Sequence, residues 1–533
     1  MKKINLMFFL VAFLMLTISS CEDLETVNKD PNNPQTVPSN MLFSGAQKKV
    51  IDYVYDNWFG GRQSLVYSQY WAQRNYTEED RYQVRESVNN NYFNYLYVII
   101  ANMNEVIALN SNPETAGESA LYGNNNNQIA AAKIMKAWIF SIITDTWGSV
   151  PYFEVGKLKT EDIYYPKYDS QEVIYEELIK ELTEAANMID EDESAFIGGD
   201  RVYGGDAAKW RKFANSLKCR LALHTSKVSG SKWNEYIAEA LASGVFESNA
   251  DAAAYHYIAT SPEFTKFYNG TFIEARNDFT IARPFADILK GVRDTLNNKT
   301  HPWEGALDPR LSMFTTSRNN AYIGMPYGIA SGDVLAAYRN LAPNWYTTTP
   351  PVHLKPDFSV PLMTYAEMQF IISEYKGFSM TEYKKGVEAS IDYWSAESGI
   401  SVSDSVKTAY VNAVTQQVNA EAVALQKYID LYINGTEAWT EIRRTGYPNQ
   451  LLKPGEISVD ASEARRGVDL KFEPLADTKG LIIPRVKYPT NESTLNTDNF
   501  LEAVSNLQDG TNNYYTPMFW DKRSLTNPHP VNK

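Results

Sequence analysis

Apolar side chains recur at helical spacing through most of the first half of the chain. Between 170 and 189 they fall at Ile174, Leu178, Leu182, Ala185 and Ile189, the i, i+4, i+8, i+11, i+15 series of one helix face. Asp169, with Glu172 three residues on, fits a capping box at the start of that segment. The same pattern predicts helices over 41–58, 92–110, 128–146, 207–227 and 232–243, the third stopping at Trp147-Gly148. Within 207–227, Trp210, Phe213, Leu217 and Leu221 share a face that reads as core, and Cys219 reads as a buried, inert thiol. Helices resume at 362–377, 380–396, 404–415 and 418–443. The last of these carries Trp439 at core spacing, with Glu437, Arg443 and Arg444 placed for internal ion pairs.

The pattern breaks twice. Residues 250–360 are rich in Gly, Pro, Asn, Thr and Tyr, with one short helix near 283–291, and the tail after 447 is irregular and punctuated by prolines. Long loops of this kind usually carry function. Helices in antiparallel pairs with small residues at the crossings suggest a tetratricopeptide-like repeat scaffold. The fold class expected is therefore mainly α, with few short strands. Residues 41–533 are expected to form one domain, its scaffold over 41–249 and 361–446 and its loop-rich insertions over 250–360 and 447–533.

The start of the chain is of another kind. Met1-Lys2-Lys3, an apolar run from Leu6 to Leu16 and small residues before Cys21 make a secretory signal, expected over 1–20. Ile18-Ser19-Ser20-Cys21 resembles a bacterial lipobox, which implies a lipid on Cys21. Residues 21–40, acidic and then rich in Asn and Pro, read as a flexible tether. The apolar run is shorter than the roughly 20 residues of a membrane-spanning helix. With Cys21 lipidated, Cys219 has no disulfide partner, and stability rests on the core.

A formal net charge of −14 argues against nucleic acid as a partner, which needs clustered Lys and Arg. Aromatic residues make up 13% of the chain, with 35 Tyr against 23 Phe. That excess of Tyr favours wet aromatic surfaces such as glycan and peptide binders use. A glycan binder stacks flat rings on sugar C–H faces and pairs hydroxyls with planar polar groups. Two stretches match: Trp71, Gln73, Arg74, Tyr76, Arg81 and Tyr82, between the first two helices, and Tyr322, Tyr338, Arg339, Trp345 and Tyr346 in the long loop region. The alternative for each aromatic is packing of loop on loop. Catalytic signatures are missing: there is no nucleophile elbow, phosphate-cradling Gly loop or His-Glu-x-x-His. The five histidines are scattered, so no metal site is expected. Asp- and Asn-rich loops leave a structural Ca2+ open, though no calcium-loop motif is present.

The order of several motifs resembles the SusD/RagB family, in its SusD-like second branch. These are the tether Asn28–Pro34, Asp145-Thr-Trp-Gly-Ser-Val-Pro-Tyr152, the Lys209–Leu217 helix, Asn277-Asp-Phe279 and Asp308-Pro-Arg-Leu311. Further on come Pro361–Phe370, Glu437–Gly446, Pro484-Arg-Val-Lys-Tyr-Pro489 and Thr516–Trp520. The resemblance implies four tetratricopeptide-like helix pairs packed against a SusC-like TonB-dependent transporter, and a surface-exposed lipoprotein of the outer membrane. It also implies capture of oligosaccharides for import, without catalysis and without a cofactor. Peptide capture by the same fold, a secreted glycoside hydrolase and a purely structural lid are the alternatives.

Overall fold

The structure, a computed structural model, describes residues 37–335, Tyr338 and 351–532. The signal segment, Cys21, most of the tether, and Arg339, Trp345 and Tyr346 lie outside the described residues.

The longer helices are α1 (Ser39–Val54), α2 (Glu86–Ser111), α3 (Asn125–Trp147), α4 (Gln171–Met188), α5 (Ala207–His224) and α6 (Trp233–Ser243). After the loop region come α7 (Arg283–Leu289), α8 (Tyr365–Tyr375), α9 (Met380–Ser398), α10 (Asp404–Val414), α11 (Ala420–Asp430) and α12 (Gly435–Thr445), with α13 (Thr497–Ser505) in the tail. Each of α1 to α6 packs on the next, α8 packs on α9 and α11, and α5 meets α8 to join the two runs. The strands are short and pair two by two. They are β1 (Trp71–Gln73) with β5 (Phe279–Ile281), β2 (Val150–Pro151) with β3 (Tyr168–Asp169), β4 (Ala253–His256) with β6 (Ser359–Met363), and β7 (Ile457–Val459) with β8 (Leu470–Lys471), all antiparallel. The mainly α, repeat-like architecture is the one the periodicity implies.

Local chemistry departs from the sequence pattern in four places. Ser170, not Asp169, caps α4, because Asp169 sits in β3 and accepts the N–H groups of Tyr152 and Phe153 at 3.0 and 2.9 Å. The expected helix 418–443 is two helices. Ile433 takes a left-handed φ of +75°, and Asn434 caps α12 through the Glu437 N–H. Residues 362–363 belong to β6 rather than to a helix. The tail is not wholly irregular, since α13 forms in it.

Where the two runs meet, charge is buried. Arg220 on α5 makes a bidentate pair with Glu367 on α8, at 2.7 and 2.6 Å. Arg444 on α12 holds Glu374 at 2.7 Å and Glu441 at 2.8 Å. Lys427 on α11 stands 3.3 Å from Glu441, and His224 lies 3.0 Å from Glu437. Against the opposing effect of burial, Arg444 with Lys427 holds Glu441 well below the usual carboxylate range, and His224 with Arg220 holds Glu437 below it. His224, Glu437 and Glu441 bring ligand-type atoms within 4.8 Å of one another. Arg220, Lys427 and Arg444 stand at the same carboxylates, so the donor set serves ion pairing and does not fit a divalent cation. Cys219 is fully buried, and burial pushes its thiol up to about 12, as suits an inert group.

Glu367→Ala would leave Arg220 buried without its partner and is expected to cost about 3–5 kcal/mol. Urea unfolding measures this, with the exposed Lys384→Ala as a control expected to change stability by less than about 0.5 kcal/mol.

Candidate functional site

The first predicted stretch divides between core and surface. Pairing of β1 with β5 sets Trp71 opposite Ile281 and Gln73 opposite Phe279, which draws both inward. Trp71 is 1% exposed; its indole N–H donates to the Tyr432 hydroxyl at 3.3 Å and its ring meets Phe267, Phe279 and His353. Gln73 is buried and accepts the Glu79 N–H. Tyr82 is buried edge-on against Tyr67 and Phe472. These three therefore present no open face, contrary to the expectation of a polar, ligand-facing loop. For Trp71 and Gln73 the cause is a strand pairing across some 200 residues that no local pattern announces, and for Tyr82 it is packing on Phe472 of the distant tail. Tyr76 is exposed, Arg74 is half-buried, and the half-buried Arg81 donates to the Glu473 carbonyl at 2.8 Å.

The second stretch is stitched to the first. The Thr77 hydroxyl donates to the Ile329 carbonyl at 2.6 Å, and its N–H donates to Ser331 Oγ at 3.0 Å. Tyr322 and Tyr338 are half-buried. The Tyr338 hydroxyl bonds to the Glu463 carboxylate and accepts from Arg283 at 2.8 Å, and the Arg283 guanidinium lies 5.2 Å from the Tyr338 ring centre. Arg283 and Glu463 border an open cleft of about 300 Å3 that is also lined by Asp287, Arg293, Asp294 and Asp460.

The structure adds a surface that the sequence pattern hid. A groove of about 230 Å3 between α1 and α2 is lined by Tyr53, Asp56, Trp58, Asn91, Tyr92 and Tyr95, among others. Tyr53 and Tyr95 stack at 4.2 Å, as Phe59 and Tyr92 do at 3.8 Å. Trp58, at 44%, is the one exposed tryptophan among the described residues.

The turn after α1 builds this platform. The Asp56 carboxylate accepts the N–H groups of Trp58 and Gly60 at 2.9 and 3.0 Å, which folds the chain back on itself. A side chain at Gly60 would come within 2.6 Å of the Val54 carbonyl. Beneath the Trp58 ring lies Arg62, 4% exposed, its guanidinium 4.5 Å from the ring centre and pinned by Asp278 at 2.6 Å. Helix assignment through residue 58 concealed the turn. The run Asp56-Asn57-Trp58-Phe59-Gly60-Gly61, with turn formers at both ends, was the available signal. Chemically, the groove offers flat rings, a rigid indole and the Asn91 side-chain amide. It holds no aligned nucleophile and base.

A sequence-family model described as "Starch-binding associating with outer membrane", SusD-like_2, matches residues 31–465. The chain belongs to this family. Among solved structures, a chitin-binding protein is 24% identical, with a TM-score of 0.72, over 91% of this chain and 100% of its own. A SusD homolog from Parabacteroides distasonis is 21% identical with a TM-score of 0.72, over 91% and 98%. A chitin-binding SusD homolog from Flavobacterium johnsoniae is 20% identical with a TM-score of 0.68, over 91% and 98%. No curated protein matches the sequence. The SusD-like fold is thus shared with these proteins, and among the described residues no helix is long and apolar enough to cross a membrane.

Two outcomes follow for the side chains. Trp71→Ala is expected to lower stability by about 3–5 kcal/mol, whereas Trp58→Ala should lower it by less than about 1 kcal/mol; thermal melts separate them. Burial pushes Asp56 up to about 7, against roughly 3.9 in an unfolded chain. A carboxyl raised on folding contributes stability in full below its unfolded value and loses it as pH rises through the folded value. Unfolding free energy measured from about pH 4 to 7 should therefore fall less steeply with pH in Asp56→Asn than in the parent. Equal slopes would show that Asp56 titrates normally.

Proposed function

We propose that this SusD-like protein binds glycans at the outer surface of the outer membrane and passes them to a SusC-like TonB-dependent transporter, held there by lipid on Cys21. The observation that carries the reading is Trp58. It is an exposed indole fixed on a buried guanidinium, beside a groove lined by tyrosines and an asparagine. Rigid rings of this kind stack on sugar faces with little loss of side-chain freedom. The family description and the two chitin-binding neighbours support a carbohydrate as the ligand. Tyr76 and Arg74 lie on the loop that Thr77 ties to Ile329 and Ser331 of the second stretch. The role is binding and handover, with no bond made or broken in the ligand.

Isothermal titration of the full chain carrying Cys21→Ala, against neutral and acidic oligosaccharides, tests this. Saturable binding that weakens at least about tenfold in Trp58→Ala is expected. Binding of oligopeptides alone would move the function to peptide capture, and release of new reducing ends would make the protein a hydrolase. In cells, Cys21→Ala should abolish uptake while leaving affinity unchanged. Full uptake by that strain would remove the lipid from the mechanism.

A further inference from the structure

The cleft bordered by Arg283 and Glu463 has no part in the reading above, and it shares no residue with the groove beside Trp58. Two segments far apart in sequence build it, 283–296 and 450–463. They are pinned to each other. Asn297 accepts the Ile457 N–H at 2.8 Å, and it donates to the Ile457 carbonyl at 2.9 Å and to Asp294 at 2.8 Å. Arg283 donates to the Ser458 carbonyl at 3.2 Å and pairs with Glu463 at 3.1 Å. The cleft is thus preformed. Pro284 and Leu452, both buried, give it an apolar floor.

Its polar groups are short of donors. Gln450 is 3% exposed; its Nε2 donates to the Thr300 carbonyl at 2.5 Å, while its Oε1 meets no donor. A buried acceptor without a partner is uncommon in a folded protein and marks a place for a donor from outside the chain. Asp460 uses Oδ1 for the Ser462 and Glu463 N–H groups and the Ser462 hydroxyl, at 2.7, 3.3 and 2.5 Å, and its Oδ2 takes no hydrogen bond among the described residues. Glu463 likewise spends Oε2 on Arg283 and Tyr338 and leaves Oε1 over. Arg283 is committed to those two groups and to the Ser458 carbonyl. Arg293, at the rim, stands 3.7 Å from Glu304. The remaining acids are already answered: Asp287 pairs with Lys290 at 2.7 Å, and Asp294 holds Asn297 and the Leu296 N–H.

From this we infer that the cleft is a second carbohydrate subsite, taking a neutral sugar that lays a C–H face on Pro284 and Leu452 and donates hydroxyls to Gln450 Oε1, Asp460 Oδ2 and Glu463 Oε1. For its class of ligand the inference rests on the proposed glycan-binding role; the cleft itself does not depend on Trp58. Spare carboxylate oxygens select hydroxyl donors and repel uronate and sulfate groups. An extended peptide brings as many carbonyl acceptors as N–H donors, so it would set part of its own backbone against these oxygens. A water that meets Gln450 Oε1 either gives way to a hydroxyl with the bond kept or bridges to it. No aromatic ring lines the cleft among the described residues, so this is the weaker of the two sites.

Calorimetric titration of the full chain carrying Cys21→Ala with maltotriose and with chitotriose tests this. The parent is expected to show two classes of site, the tighter lost in Trp58→Ala and the weaker kept. In the Trp58→Ala background, Asp460→Asn and, separately, Glu463→Gln should each weaken the remaining site about tenfold. Each change puts an amide donor where the spare oxygen stood and leaves the other oxygen to its present partners, so the melting temperature should not move. With Trp58 in place, neither change should alter the tighter site. A single Trp58-dependent site, untouched by either variant, would overturn the inference and keep the glycan-binding role. Residual binding in Trp58→Ala that survives both changes would also overturn it, since the sugar would then sit elsewhere. Trigalacturonate that binds the cleft as tightly as the neutral sugars would overturn the hydroxyl-donor chemistry. Binding that needs Asp460 and Glu463 but not Trp58 would uphold the cleft and remove Trp58 from the proposed function. Failure of every sugar would overturn both readings.

Discussion

The fold depends on burying ionic side chains in matched sets where two runs of helices meet. Arg220 ties α5 to α8, Arg444 ties α12 to α8, and Lys427 brings α11 to the same carboxylates. Hydrophobic contact alone would let these helices slide, because aliphatic surfaces tolerate small shifts in register. A bidentate guanidinium–carboxylate pair does not. Each member is costly to strand in a low dielectric, so the arrangement with every partner in place stands apart from its neighbours in energy. Arg443 extends the pattern into the tail by donating to the Asp145 and Pro484 carbonyls, and Asp145 in turn accepts from Tyr175 and Trp520. Segments distant in sequence thereby share one anchor.

That anchor explains how long, irregular segments can form a defined surface. The loops between α6 and α8 and after α12 have little regular structure, yet they end in fixed positions. Short strand pairs and single hydrogen bonds then suffice to set them: β1 against β5, Thr77 against Ile329 and Ser331, and Asn297 against the Ile457 carbonyl. Gly328 lets the chain pass over Phe472, since a side chain there would come within 2.3 Å of that ring. The loop face is built from the scaffold outward.

Helices were largely legible in the sequence because their signal is local. The face formed by Ile174, Leu178, Leu182 and Ala185 is buried as its spacing implies, and Trp210 and Trp439 lie in the core. The break before α12 was less visible, since apolar spacing continues through Leu431 and Tyr432 while the chain turns at Ile433. The candidate site was legible only in part. Tyr76 and Trp71 look alike in composition and neighbourhood, but one is exposed and the other enclosed, because only Trp71 lies on the strand that meets β5. Trp58 was hidden for the opposite reason. It follows a true helix so closely that periodicity counted it in, while its exposure is set by the Asp56 turn and by Asp278, more than 200 residues away.

The mounting of Trp58 bears on timing. The indole rests on a guanidinium that is itself buried and pinned, so the ring is held in one orientation before any ligand arrives. A ligand that stacks there meets a prepared face and need not wait for a side chain to find it. Encounter rates would then differ little between ligands of similar size and charge, and discrimination would be expressed in how long each one stays. Under the proposed handover, residence time would be the property that sets throughput.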